Sequence, residues 1–181
     1  MKLLLSLLLF YTLCFASLDS IISLDSDFTQ TVTDDKNSTL VYKGHVLAKK
    51  PQYALWKYTS PVQKEIYIAL SKVTIIEPEL EQVIIKNIES NFNFFNMIQN
   101  SKRVKEGLYI AIYKDVKYTI IQNDTVIESI SYMDELENRV KILFTNQEQN
   151  REINETLFTP SIPSHYDIIV DWFRKGSSKN A

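Results

Sequence analysis

The chain has 181 residues, with 20 Lys and Arg against 22 Asp and Glu and a formal charge of −2. That balance excludes a polybasic surface for nucleic acid or anionic membrane, and a single cysteine excludes an internal disulfide framework. Hydrophobic residues make up 45% of the chain, enough for one domain with a real core.

The first element is a leader. Lys2 supplies a positive n-region, Leu3 to Leu13 an apolar run, and Cys14-Phe15-Ala16 a small-x-small cleavage signal. The run is too short to cross a bilayer, which takes about 20 residues. Residues 1–16 therefore read as a secretory signal peptide, and 17–181 as one domain. Leu13 stands where a lipid-modified Cys14 would want a small residue, which argues against lipidation. Cleavage removes the cysteine, so an oxidising compartment finds nothing in the exported chain to cross-link.

Residues 17–24 have helical spacing, with Ser17 as a cap and Leu18, Ile21 and Ile22 on one side. Alternation dominates from residue 28. With 3 glycines in the whole chain, the turns fall on Asn, Asp, Lys and Pro, in DDKNS, KKP, TSP, NDT, DELEN and NQEQN. Strand-length runs occupy 28–33, 39–50, 53–58, 64–70, 73–76 and 82–88. A second helix is predicted over 90–101, capped by Ser90, with Phe94, Phe95, Met97 and Ile98 on one broad face. Further strands follow at 107–113, 116–121, 125–132, 138–145 and 150–158, then a frayed tail, GSSKNA. The short, even connections predict an antiparallel meander in a mainly β (α+β) domain.

Period-2 parity assigns the faces. Leu40, Tyr42, Gly44, Val46, Ala48 and Lys50 share one side of their strand, opposite Val41, Lys43, His45, Leu47 and Lys49. Lys57 marks solvent and puts Ala54, Trp56 and Tyr58 inside. Arg139 and Lys141 point out, leaving Val140, Ile142 and Phe144 inside. The expectation is a sheet with one continuous apolar face, covered by two amphipathic helices, with Lys50 at the inner rim.

Catalytic signals are weak. His45 shares its face with lysines, and His165 lies in a Pro-rich segment. No HExxH, GxSxG or phosphate-cradling Gly loop occurs. The acidic pairs Glu77/Glu79 and Asp134/Glu135 lie in turn-like segments and read as solvated. Three Asn-x-Thr triplets begin at Asn37, Asn123 and Asn154. Two carry an acid two residues earlier, Asp35 and Glu152, as some bacterial oligosaccharyltransferases require; in so Asn-rich a chain, chance occurrence is the simpler reading of the triplets.

Phe28-Thr29-Gln30, Tyr42-x-Gly44, Lys50-Pro51, Trp56-x-Tyr58-x-x-Pro61, Glu77-Pro78, Glu81-Gln82-Val83 and Leu157-Phe158-Thr159-Pro160 follow one another in a specific order. In that order and spacing the chain resembles the LolA family of periplasmic outer-membrane lipoprotein carriers. The resemblance implies an unclosed antiparallel β-barrel whose helices form a lid over an apolar cavity. It implies a carrier rather than an enzyme, with no cofactor. Acylated lipoproteins would come from an inner-membrane ABC-type lipoprotein-releasing complex and pass to an outer-membrane lipoprotein receptor. The carrier would be a monomer and would bind no nucleic acid. Tyr42, Val46, Trp56, Tyr58, Phe94, Phe95, Ile98, Val140, Ile142 and Phe144 are the cavity candidates. The family commonly has an arginine at the position of Lys50, bonded to lid carbonyls; lysine offers donors there without the planar fork. Competing expectations are the lipid-anchored receptor of the same pathway and a sensor or scaffold with a filled interior.

Overall fold

The structure, a computed structural model, describes residues 18–87 and 94–171. The leader, the Ser17 and Ser90 caps, the 90–93 start of the second helix and the tail lie outside them. Six strands come first: β1 (Ser23–Thr33), β2 (Thr39–Lys49), β3 (Tyr53–Ser60), β4 (Lys64–Ala69), β5 (Lys72–Glu77) and β6 (Gln82–Asn87). Helix α1 (Phe94–Gln99) follows, then β7 (Lys102–Lys105), β8 (Leu108–Tyr113), β9 (Val116–Asn123), β10 (Val126–Met133), β11 (Arg139–Gln149) and β12 (Asp167–Asp171). They form one 12-stranded sheet in the order β12-β6-β5-β4-β3-β2-β1-β11-β10-β9-β8-β7. Two antiparallel meanders meet where β1 pairs with β11, and β7 and β12 remain as open edges.

Side-chain-borne turns replace glycine turns as the composition requires. Asn37, Asp124, Asn146 and Asn150 all take positive φ at 63°, 52°, 50° and 61°. Asparagine and aspartate tolerate that left-handed region better than other non-glycine residues. Asp34 also accepts from the backbone N–H of Lys36 and Ser38 at 2.9 and 2.7 Å, closing the β1–β2 hairpin.

Parity holds on the inner face. Phe28, Val46, Ala48, Ala54, Ile120, Ile130 and Phe144 are buried together with Phe95 and Ile98 of α1. Gly44 shapes this floor. It sits opposite Phe28 in the β1–β2 register, and Phe28 makes edge-to-face contacts with Trp56 and Tyr58, each at 5.0 Å between centroids. A Cβ on Gly44 would lie 2.1 Å from the Lys57 carbonyl and 2.8 Å from the Phe28 ring.

Three expectations are corrected. The 17–24 segment is not a second helix. A 3₁₀ turn at Leu18–Ser20 leads directly into β1, which starts at Ser23. Leu18 and Ile21 are buried but Ile22, in the link between that turn and β1, is 53% exposed. The 150–158 segment is not a strand. Asn150 turns the chain in the left-handed region, and Asn154 caps a 3₁₀ helix over Glu155–Phe158. Nor is only one face of the sheet apolar. That 3₁₀ helix packs on the outer side of β3 and β4, with the Phe158 ring 5.5 Å from Tyr53. Phe158 and Ile153 are fully buried, as are Ile76 and Val83, which the register puts on the same outer face. Near-continuous apolar runs such as VTII, whose Thr74 is itself 3% exposed, are the mark of strands covered on both sides. β7 and β12 were not anticipated, and β12 pairs with β6 in parallel.

Polar groups fasten this segment to the outer face. Lys49 Nζ donates to the Ile153 carbonyl at 3.0 Å and pairs with Glu155 at 3.1 Å. Arg151 pairs with Asp25, whose other carboxylate oxygen lies 2.7 Å from His45 Nε2. His45 Nδ1 meets Asp27 at 2.8 Å, and Asn146 donates to Asp27 at 2.8 Å. Bonds from His45 and Asn146 hold the Asp27 carboxyl below its ordinary range.

Gly44→Ala is expected to cost about 1–3 kcal/mol of stability by overpacking, read by urea unfolding; an unchanged midpoint would show that the close approach of Phe28 to Gly44 contributes nothing. For Asp27 the folded state favours ionisation, so its contribution is present above a pH of about 4 and lost as pH falls through the lower folded value. Asp27→Asn should flatten the acid limb of a stability–pH curve measured between about pH 5 and 2.

Candidate functional site: an apolar cavity beneath the helix

Helix α1 lies across the concave side of the sheet and leaves a space beneath it. Its apolar residues cannot all interdigitate with the floor, because Trp56 and the tyrosines hold the wall apart. The resulting cavity has a volume of about 190 Å³. Its wall is Ala54, Trp56 and Ile68 from β3 and β4, Tyr118, Ile130, Tyr132 and Ile142 from β9 to β11, Phe94, Phe95 and Met97 from α1, and Gln52 and Tyr53 at one end. Most of the exposed surface of that wall is carbon, so the space suits an apolar ligand.

Four of the sequence-derived candidates line the cavity: Trp56, Phe94, Phe95 and Ile142. Val46, Ile98, Val140 and Phe144 are instead buried in packed core. Tyr42 and Tyr58 stand beyond the cavity, edge to face at 5.8 Å. Tyr58 donates to Gln30 Oε1 at 2.8 Å, and the Lys64 ammonium lies 4.8 Å from its ring centroid. Parity had placed Ala54 and Met97 on the right faces without naming them as lining. Tyr118 and Tyr132 carried no sequence signal beyond alternation; their rings meet at 5.0 Å across β9 and β10. Burial pushes the phenols of Tyr58, Tyr118 and Tyr132 above their ordinary pKa, so they stay neutral.

Lys50 follows β2, outside the cavity lining, between the first 3₁₀ turn and α1. Its ammonium donates to the Asp19 carbonyl of the first 3₁₀ turn at 3.3 Å. The same nitrogen lies 5.9 Å from the centroid of Phe95 in α1, near the limit for a cation–π contact. One cation thus lies against both the first 3₁₀ turn and α1, and its backbone N–H donates to the Ile22 carbonyl at 2.9 Å. The main ionic cluster among the described residues, His45 between Asp25 and Asp27, faces the other way and is engaged with Arg151.

The sequence also aligns with known proteins. Residues 19–111 match the family described as outer membrane lipoprotein carrier protein LolA. An outer-membrane lipoprotein carrier protein of Campylobacter jejuni is 43% identical over 144 residues, covering 80% of this chain and 84% of that one. Its counterpart from Wolinella succinogenes is 35% identical over 161 residues, covering 88% and 94%. Among solved structures, an uncharacterized conserved protein from Thermus thermophilus superposes with a TM-score of 0.53. That match covers 84% of this chain and 93% of the other at 9% identity, and shows the fold alone. Sequence, sheet and relatives agree, and the chain belongs to the LolA family of outer-membrane lipoprotein carrier proteins.

Proposed function

We propose that this chain is a periplasmic carrier that shields the acyl chains of lipoproteins on their way to the outer membrane. Residues 1–16 are its export leader and 17–181 the working domain. It accepts cargo from an inner-membrane ABC-type lipoprotein-releasing complex and surrenders it to an outer-membrane receptor. It works as a monomer, by binding alone, with no covalent bond made or broken. The observation that carries this reading is the apolar cavity beneath α1.

The thermodynamic need is large. Each buried acyl CH₂ is worth roughly 0.8 kcal/mol, so a three-chain anchor leaves a membrane only for comparable apolar surface. The cavity of about 190 Å³ holds about six groups of water size. Loading therefore requires α1 to move and expose more of the floor. The described part of that helix is six residues long, and Phe95, Met97 and Ile98 are the buried side chains that hold it down.

Lys50 makes its two contacts with the closed form, so it stabilises the empty state relative to the loaded one. By linkage, whatever stabilises the empty state weakens cargo binding. A long hydrogen bond and a marginal cation–π contact together amount to about 1 kcal/mol. Lys50→Leu is expected to tighten binding of an acylated peptide about 5-fold and to slow its transfer to acceptor membranes correspondingly. Uptake and transfer both at wild-type level would end the latch role.

The function itself is tested with spheroplasts making a labelled outer-membrane lipoprotein. Added mature protein should carry label into the medium as a soluble one-to-one complex, and Ile142→Glu, which puts a charge in the cavity wall, should abolish the release. Label that stays on the membrane, with the releasing complex shown to be active, would refute the carrier reading.

A further inference from the structure

The three Asn-x-Thr triplets are not equivalent in the folded chain. Asn37 stands at the tip of the β1–β2 hairpin with φ of 63°, and residues 35–41 are all exposed. The tip is tied by Asp34 and by two side-chain contacts, Arg139 to Asn37 Oδ1 at 2.6 Å and the exposed Thr33 and Thr39 hydroxyls at 3.3 Å. Asp35, two residues before it, has no ion-pair partner among the described residues. Asn154 also follows an acid, Glu152, but its Oδ1 caps Thr156 N–H at 3.0 Å. Its neighbours Ile153 and Phe158 are 2% and 1% exposed, and Lys49 holds the Ile153 carbonyl. Drawing Asn154 into another protein's site would unseat both. Asn123, in the β9–β10 turn, has Ile121 where the other two have an acid.

We propose that Asn37 is an acceptor for N-linked oligosaccharide, with Asp35 and Thr39 as its recognition residues. The inference rests on the periplasmic residence proposed above. The partner is a membrane oligosaccharyltransferase of the acid-requiring type, and the co-substrate is an oligosaccharide on a polyisoprenyl diphosphate. Asn37 Nδ2 forms a bond to C1 of the first sugar while the C1–O bond to the diphosphate breaks. One amide proton is lost to a base, the polyisoprenyl diphosphate leaves, and nothing is oxidised or reduced. A cationic group on the transferase would pair with Asp35, and the Thr39 hydroxyl would orient the amide. A hairpin tip opens at little cost, whereas a segment anchored by buried side chains does not.

Position makes the modification compatible with carriage. Thr33 pairs with Thr39 at one end of the β1–β2 ribbon, and Ser23 pairs with Lys49 at the other. At about 3.3 Å per residue, the glycan would hang about 33 Å along the ribbon from Lys50.

The test is the intact mass and glycopeptide fragmentation of the chain purified from the periplasm of its own cells. The expected result is a chain heavier by whole sugar residues, all of them on Asn37. Asn37→Gln and Asp35→Ala should each abolish the increment, and Asp35→Glu should restore it. Lipoprotein release by Asn37→Gln should match the unaltered chain, which separates this site from the carrier function. A periplasmic chain that begins at Ser17 with Asn37 bare would overturn the proposal while leaving its residence intact. Sugar retained in Asp35→Ala would overturn the recognition role of the acid.

Discussion

The missing side chain at Gly44 is the constraint on which the interior depends. Because nothing projects there, Phe28 lies across β2 and reaches Trp56 and Tyr58 on β3. Trp56 in turn approaches Phe144 of β11 at 6.4 Å. Rings from β11, β1 and β3 therefore form one floor spanning the junction of the two meanders. An aromatic floor is rigid and has few rotamers to lose, so it keeps its shape whether or not something lies on it. The cavity wall inherits that stiffness through Trp56.

An unclosed sheet must cover its apolar concave side with something other than itself. Here the cover is short: one helix, and one 3₁₀ turn that buries Leu18. Lys50 lies against both. The opposite side is treated differently. The segment after β11 seats Ile153 and Phe158 on the outside and is fastened by Lys49, Arg151 and the Asp25–His45–Asp27 cluster. Two covers of unlike strength result: a fastened one outside and a lightly held one over the cavity.

Alternation was enough to place Tyr42, Val46, Trp56, Ile142 and Phe144 on the inner face and His45 and Lys141 on the outer. It failed where both faces are covered, because VTII offers no polar phase to read and the outer layer comes from residues more than seventy positions away. It failed at 17–24 because Leu18, Ile21 and Ile22 fit a helix and a turn entering a strand equally well. β7 was missed because its residues KRVK are exposed throughout, with no pattern to bury. The division of the apolar set into cavity wall and packed core was not readable at all. Trp56 and Val46 have the same parity, and only the distance between α1 and the floor separates them.

The same distance decides how a carrier of this kind can let go. Phe95, Met97 and Ile98 are at most 9% exposed, so α1 itself occupies much of the apolar floor. An arriving acyl chain replaces lid–floor contacts with its own, and the net gain is the difference between two similar burials. On departure α1 returns and recovers the burial it gave up. Binding strong enough to clear a membrane is thus offset by a competitor built into the fold. A larger permanent cavity would remove that competitor and hold the cargo too well to deliver it.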